Sequence, residues 1–177
     1  QFTSGSTADP KGVMLPQHCL TANIDAIVEG DGLTDEDVGI SWLPLYHDMG
    51  LIGLLMTPML TGFDLAIAAP QDFLAAPGDW MRWVSEFRGT ITCGPNFAYD
   101  LCVRKITDAQ RAELDLSSWR AAYNGAEPIR AETLEAFNAR FKDVGFRWRS
   151  FYPVYGLAES TLLVSTGGRD YEPVIRD

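Results

Sequence analysis

Short apolar runs alternate along the chain with longer segments in which apolar residues recur every three or four positions. The short runs predict buried strands, and the longer segments predict helices that each present one apolar face. Alternation of this kind indicates an α/β fold with a mainly parallel β-sheet flanked by helices. The predicted strands are residues 38–43, 63–69, 90–93, 120–123, 147–152 and 162–165, with residues 1–3 as the end of another.

The helix boundaries follow from proline, glycine and capping residues. Pro16 suits a first helical turn and Gly30 suits the end of that helix. The segment 48–60 is apolar on nearly all sides, which predicts a buried helix. Further helices are predicted to begin at Asp79, Pro95, Thr107 and Pro128, with a capping box formed by Thr107 and Gln110.

The composition is that of one globular domain with an acidic surface. The chain has 177 residues, 46% of them hydrophobic, which is enough to bury a sizeable core. A formal net charge of -10 argues against DNA, RNA or anionic lipid as a partner. An anionic small molecule would therefore need a local patch of hydrogen-bond donors.

Cysteine spacing and hydropathy argue against a zinc site, a disulfide framework and a membrane span. Cys19, Cys93 and Cys102 are widely spaced, with no paired Cys or His motif, so we expect reduced thiols in a cytoplasmic protein. The longest apolar run, 49–60, is too short to span a bilayer and contains a proline. The chain begins without methionine, directly before a polar loop. We therefore expect an internal piece of a longer enzyme, with residues 1–177 forming part of one domain.

That loop is a dense run of small, hydroxyl-bearing residues, Thr3-Ser4-Gly5-Ser6-Thr7, which leads to Lys11 and Gly12. Glycine lets the backbone approach an anion, while amides, hydroxyls and a lysine donate to phosphate oxygens. A Walker A loop is excluded because Gly12 follows Lys11 where that motif requires Ser or Thr. An ordinary turn has the same composition, so the run alone leaves both interpretations open.

The segment from Thr3 to Val13 resembles the T-S-G-[ST]-T-G-x-P-K-G-V signature of the adenylate-forming superfamily, which includes acyl-CoA synthetases, luciferase and peptide-synthetase adenylation domains. Ala8 departs from the usual glycine, and the fatty acyl-AMP ligase branch tolerates a non-glycine residue there. The resemblance implies that the loop holds the ATP phosphates through Thr3, Ser4, Gly5, Ser6, Thr7 and Lys11.

Two later blocks resemble the nucleotide-binding segments of the same family. Asn124-Gly125-Ala126-Glu127-Pro128 is similar to its G-A-E-P segment, and Tyr155-Gly156-Leu157-Ala158-Glu159 is similar to its Y-G-x-[TA]-E block. The resemblance implies that Asn124, Gly125, Ala126 and Glu127 lie on one face of adenine and Tyr155 on the other. By the same resemblance, Gly156, Leu157 and Ala158 would complete the nucleotide site, and Glu159 would bind Mg²⁺. Without the resemblance, residues 124–128 could equally form an ordinary strand-to-helix turn, and Glu159 could be an ordinary surface carboxylate. Both alternatives remain open.

Ala158 stands where many relatives have a threonine that contacts the α-phosphate. Ser160 or Thr161 is a hypothetical substitute for that hydroxyl. The fatty acyl-AMP ligase branch commonly has Y-G-L-A-E here, as this chain does.

The segment from Ser41 to Leu51 resembles the same branch most closely and places His47 near the acyl carboxylate. A structural histidine remains an alternative. The following apolar residues would flank an acyl tunnel, although core packing explains them equally well. They are Leu51, Ile52, Leu54, Leu55 and Met56, and Gly94, Pro95, Asn96 and Phe97 are further candidates for the acyl pocket.

Taken together, the resemblance implies ATP-dependent activation of a fatty acid to an acyl-adenylate, with release of pyrophosphate. His47, Lys11 and Glu159 would be catalytic, ATP and Mg²⁺ would be the cofactors, and an acyl carrier protein or a polyketide or nonribosomal synthase would accept the acyl group in lipid biosynthesis. A fatty acyl-CoA synthetase and a non-catalytic nucleotide-binding domain remain alternatives. The family's small C-terminal domain, with its lysine, would lie beyond Asp177, so we expect residues 1–177 alone to be inactive.

Overall fold

The computed structural model describes residues 1–3, 9–167 and 172–175. Within them a single sheet has the strand order β2-β1-β3-β4-β5-β6. Neighbouring strands run parallel from β2 to β5, and only β6 runs antiparallel to its neighbour. The strands are β1 (Val38–Ser41), β2 (Asp64–Ile67), β3 (Ile91–Gly94), β4 (Ala121–Asn124), β5 (Phe151–Gly156) and β6 (Leu163–Thr166). The predicted α/β class with a mainly parallel sheet is confirmed.

Helices cover both faces of this sheet. They are α1 (Gln17–Asp31), a π-helix (Met49–Met56), α2 (Thr57–Thr61), α3 (Pro70–Ala75), α4 (Gly78–Glu86), α5 (Asn96–Lys105), α6 (Asp108–Ala112) and α7 (Ala131–Phe141). Short 3₁₀ turns lie at Lys142–Val144, Trp148–Ser150 and Ala158–Ser160. On one face α4 packs through Trp80, whose indole N–H donates to Thr92 Oγ1 at 2.8 Å. On the other, Asn23 of α1 exchanges two hydrogen bonds with the backbone of Leu163.

The α4–α5–α7 side of the sheet is filled by a continuous aromatic cluster. Trp80, Tyr99, Trp119, Phe137 and Phe151 are each at most 1% exposed. Most of their ring pairs meet edge to face with centroids 5.2–6.1 Å apart, the arrangement that aromatic quadrupoles favour. The buried hydroxyl of Tyr99 in this cluster is paired, since Tyr99 Oη donates to the carbonyl of Tyr123 at 2.8 Å. This cluster makes the sheet a rigid support for the loops at its edges.

A charged network joins α1, β1, β3 and β4 at the amino-terminal edge of the sheet. Arg120 donates to both carboxylate oxygens of Asp37, at 2.8 and 2.6 Å, and to the carbonyls of Asp31 and Gly32. Thr90 adds a hydroxyl bond to Asp37 at 2.7 Å. Burial acts to raise the pKa of Asp37, but these hydrogen bonds and the Arg120 charge outweigh it and hold that pKa below its ordinary value.

Helix α1 and the apolar segment after His47 differ from the sequence prediction. Helix α1 ends one residue after Gly30, and the left-handed residue that terminates it is Gly32, with φ 57°. The predicted buried helix 48–60 exists as the π-helix followed by α2. Pro58 has no N–H to continue the helical ladder, and the Thr57 hydroxyl donates to the Ile52 carbonyl at 2.8 Å. Widened turns of this kind are frequent at functional sites.

Other local differences are smaller. Helix α3 was not predicted, and residues 147–150 are largely a 3₁₀ turn, so β5 begins only at Phe151. Pro77, not Asp79, precedes α4, and the Asp79 carboxylate accepts from Arg82 instead. The capping box at Thr107 is confirmed. Cys19, Cys93 and Cys102 are free, as expected. No helix in the described ranges has the length and apolar character needed to cross a membrane.

Candidate active site

A cleft of about 830 Å³ lies along the sheet face that α1 and the π-helix cover. Segments that follow the carboxyl ends of β1, β4 and β5 contribute to it, the edge at which open parallel sheets bind ligands. The described residues of its exposed rim include Lys11, Tyr46, Ala126, Tyr155 and Glu159. The cleft therefore brings together residues from all four sequence blocks.

The first block contributes the flanks of its loop. Thr3 N–H donates to the carbonyl of Lys11 at 3.0 Å, and Lys11 N–H donates to Thr3 Oγ1 at 2.9 Å. Phe2 and Gly12 form an antiparallel bridge beside them. Thr3 and Lys11 both line the cleft. The predicted phosphate contacts of Ser4, Gly5, Ser6 and Thr7, together with the irregular Ala8, lie outside the described residues.

The block after β4 forms a tight turn. Ala126 has the positive φ of 67°, and it is the member of this block that lines the cleft. Gly125 is buried against β5, where a Cβ would lie 2.7 Å from the Val154 carbonyl oxygen. The Glu127 carboxylate accepts a 2.5 Å hydrogen bond from Phe97 N–H in the first turn of α5. Glu127 thus holds the turn against α5 and does not line the cleft.

Asn124 lies at the end of β4 and is fully buried. Neither its Oδ1 nor its Nδ2 has a hydrogen-bond partner in the described part of the chain. Asn124 and Gly125 are absent from the described residues that line the cleft. Both therefore lie behind the cleft wall. The contact of their backbone with adenine stays a prediction.

The β5–β6 connection carries the block with Tyr155 and Glu159. Tyr155 is 61% exposed, and it lines the cleft together with Gly156, Leu157, Ala158 and Glu159. The two strands approach so closely that a Cβ on Gly156 would lie 2.2 Å from the Leu162 carbonyl oxygen. That oxygen accepts from Leu157 N–H at 3.0 Å, which shapes the turn that presents Glu159.

Many relatives have a threonine where this chain has Ala158, and Ser160 or Thr161 was the hypothetical substitute for its hydroxyl. Neither residue is among the described residues that line the cleft. Thr161 is 4% exposed and takes the strained φ of 73°, while Ser160 lies on the preceding 3₁₀ turn. The structure gives the compensation hypothesis no geometric support.

His47 and Asp48 lie where β1 leads into the π-helix. His47 Nδ1 lies 2.8 Å from Asp48 Oδ1. Met49 N–H donates to that carboxylate oxygen at 2.7 Å and to His47 Nδ1 at 3.1 Å. The arrangement orients the imidazole and leaves Nε2 for a ligand in the cleft, which His47 lines.

Behind this rim the cleft becomes apolar and buried. Its deeper walls are formed by side chains that are at most 8% exposed, and Met49, Gly53 and Leu54 line it along one side of the π-helix. These walls are Ile27, Leu33, Leu54, Phe63, Ile91 and Cys93. Burial raises the pKa of the Cys93 thiol, which therefore stays neutral and acts as an apolar wall.

Of the sequence-predicted acyl-pocket residues, only Leu54 lines the described cleft. Ile52 is 1% exposed and packs in the core. Gly94 faces Trp80 on the opposite side of the sheet, and Asn96 bonds to Thr133 and Arg130 there. Phe97 is 44% exposed on the first turn of α5.

Sequence reasoning missed the walls from α1 and β3, and it missed Asp31 and Tyr123, which also line the cleft. The apolar helical spacing of Ile27 was visible but is shared by every core-facing helix residue. No local pattern marks Asp31 or Tyr123, because they meet across 92 residues of chain.

Comparison with known proteins agrees with this geometry. The family model described as AMP-binding enzyme matches residues 1–176. The chain is 49% identical over 94% of its length to the medium-chain-fatty-acid–[acyl-carrier-protein] ligase JamA of Moorena producens, covering 28% of that protein. It is 44% identical over 98% of its length to the corresponding ligase TtuA of Teredinibacter turnerae, covering 27% of it.

Among solved structures, the fatty acyl-adenylate ligase from L. pneumophila, in complex with acyl adenylate and pyrophosphate, superimposes with a TM-score of 0.92 at 49% identity. The match covers 95% of this chain and 30% of that one. The fold is that of an adenylate-forming enzyme domain. The chain belongs to the AMP-binding enzyme family, and it spans a little over a quarter of the length of the two curated relatives.

Proposed function

We propose that the protein carrying this chain activates a fatty acid with ATP, forming an acyl-adenylate and releasing pyrophosphate. The observation that supports this most directly is one continuous cleft with two chemically different parts. Its exposed rim carries Lys11, Tyr155 and Glu159, and its buried interior is apolar. A polar nucleotide and an alkyl chain need such an arrangement to meet at one reacting centre.

In the proposed reaction a carboxylate oxygen of the fatty acid attacks the α-phosphorus of ATP. The bond from that phosphorus to the oxygen bridging to the β-phosphorus breaks, and pyrophosphate leaves with the electron pair. Positioning and charge stabilisation supply most of the rate in displacements of this kind. Lys11 offsets phosphate charge, Tyr155 holds adenine through its exposed ring, and His47 orients the acyl carboxylate through Nε2.

Magnesium is part of this proposal, with Glu159 as its protein ligand. No group of three or more His, Cys, Asp or Glu side chains suitable for a metal occurs among the described residues. A single carboxylate such as that of Glu159 fits Mg²⁺, which is commonly held by one or two carboxylates together with substrate phosphates and water. The ion would neutralise phosphate charge when bound.

We further propose that the acyl group passes to an acyl carrier protein, and that the enzyme works in the cytoplasm in lipid biosynthesis. The two relatives at 49% and 44% identity are named as fatty-acid–[acyl-carrier-protein] ligases, which favours this acceptor. Another relative, from Caulobacter vibrioides and 40% identical, is named a putative acyl-CoA synthetase, so CoA is the competing acceptor.

The acceptor is tested by incubating the protein with ATP, Mg²⁺, a medium-chain fatty acid and CoA, and analysing the products by mass spectrometry. We expect acyl-adenylate to accumulate and acyl-CoA to be scarce. Accumulation of acyl-CoA would replace the proposed acceptor with CoA. Absence of both products would contradict the activation step itself.

A further inference from the structure

The apolar part of the cleft contains one polar feature that fatty acid activation does not use. Asp31, the last residue of α1, lines the cleft and is 1% exposed. Its neighbour in the cleft is Tyr123 on β4, whose hydroxyl donates to Asp31 Oδ2 at 2.6 Å. Ile27, Leu33, Ile91 and Cys93 are apolar residues that line the same cleft.

The second oxygen of this carboxylate is unsatisfied. Asp31 Oδ1 is buried and has no hydrogen-bond partner among the described residues. The nearby Arg120 gives Oδ1 no hydrogen bond, because its guanidinium donates to both oxygens of Asp37 and to the backbone carbonyl of Asp31. A buried acceptor without a donor is costly, and such atoms in a ligand cavity commonly receive their donor from the ligand.

The Asp31–Tyr123 pair is an unfavourable contact for the terminal methyl group of an unsubstituted acyl chain. A terminal methyl group in contact with Asp31 would keep Oδ1 dehydrated and give it no hydrogen bond. A hydroxyl group there could donate to Oδ1. Burial raises the pKa of Tyr123 well above its ordinary range, so the phenol remains protonated and keeps its own donor on Oδ2. Oδ1 is therefore the free position.

We propose that Asp31 and Tyr123 form a recognition site for a hydroxyl group on the distal part of the acyl chain, so that hydroxylated fatty acids are preferred substrates. This inference rests on the proposed function, because it assigns the apolar part of the cleft to the acyl chain. It adds a polar contact at a fixed depth, so the preference depends on how far the hydroxyl lies from the carboxylate.

The test is a comparison of kcat/KM for saturated fatty acids and for their ω-hydroxy counterparts over a series of chain lengths, measured by pyrophosphate release. We expect the hydroxy acid to be favoured about tenfold or more at one chain length, with a smaller ratio at shorter and longer ones. Equal or lower values for the hydroxy acids at every length, with normal activity on the plain acids, would overturn this inference alone. No activity on any acid would instead contradict the proposed function.

Two variants link the preference to the Asp31 side chain. Asp31→Leu and, separately, Asp31→Ala remove Oδ1 and should reduce the hydroxy-to-plain ratio about tenfold, mainly through KM for the hydroxy acid. Asp25→Asn, an exposed aspartate on the same helix, is the control and should leave the ratio unchanged. If Asp31→Leu fails to fold, Asp31→Ala removes the same buried acceptor without adding bulk and still decides. A ratio that both folded variants retain would overturn the assignment.

Discussion

Replacing Gly156 by alanine tests how the β5–β6 turn presents Tyr155 and Glu159. A Cβ there would lie 2.2 Å from the Leu162 carbonyl oxygen and 3.0 Å from its carbon. Carbon–oxygen contacts normally begin at about 3.3 Å, so the strands would have to separate by about 1 Å. The obstructing atoms are backbone, and a rotamer change cannot relieve the contact.

The expected cost combines two effects. Overpacking a well-filled site costs about 1–3 kcal/mol. Moving the Leu162 carbonyl also weakens its 3.0 Å bond from Leu157 N–H, worth about 1 kcal/mol net. We therefore expect Gly156→Ala to destabilise the protein by about 3 kcal/mol, or to relax by displacing Tyr155 and Glu159, in which case ATP binding weakens about tenfold or more.

The matched control is Gly30→Ala, since a Cβ at Gly30 meets nothing within 4 Å and the residue is helical. Alanine should be neutral or stabilising there by up to about 1 kcal/mol. Urea unfolding gives the stability of both variants, and isothermal titration with ATP gives their affinity. If Gly156→Ala matched Gly30→Ala in both measurements, the close approach of β5 and β6 would not be a constraint on the site.

Two further predictions concern charge. Arg120→Met should destabilise the protein by about 3 kcal/mol at neutral pH, because it leaves the buried Asp37 carboxylate without its cation. The pKa of Asp37 is lowered in the folded protein, so the loss of unfolding free energy relative to wild type is fully present above about pH 4. It shrinks as the pH falls through the folded-state pKa. Urea unfolding of both proteins across pH measures this dependence. Glu159→Gln should lower the rate of acyl-adenylate formation about a hundredfold and raise the Mg²⁺ concentration needed, whereas Glu29→Gln on α1 should change neither. Equal Mg²⁺ titrations of the two glutamine variants would remove Glu159 from the metal site.

Much of the fold could be predicted because its central strands, β1, β3 and β4, are short, mostly buried and followed closely by proline or glycine. The predicted strand 90–93 overlaps β3 to within one residue, and 120–123 does the same for β4. Residues 147–150 were predicted as the start of a strand, but the chain forms a 3₁₀ turn there and the Ser150 hydroxyl donates to the Trp119 carbonyl. The π-helix was also beyond sequence patterns, because its apolar composition suits an α-helix equally well.

The rim of the site could be located through the family resemblance, whereas its interior could not. His47, Ala126, Tyr155 and Glu159 lie in contiguous motifs, and the structure places all four on one cleft. Asp31 meets Tyr123 only because α1 packs across β4, a tertiary contact with no sequence periodicity. Resemblance also assigned Glu127 to adenine, while its carboxylate is engaged with α5 through Phe97 N–H.

The central claim is that this cleft joins a fatty acid to the α-phosphate of ATP. The most direct test is exchange of labelled pyrophosphate into ATP, measured on the protein carrying this chain with and without a medium-chain fatty acid. The account predicts exchange that requires both Mg²⁺ and the fatty acid and that Glu159→Gln reduces. Exchange that proceeds without fatty acid, or that only an amino acid supports, would contradict it.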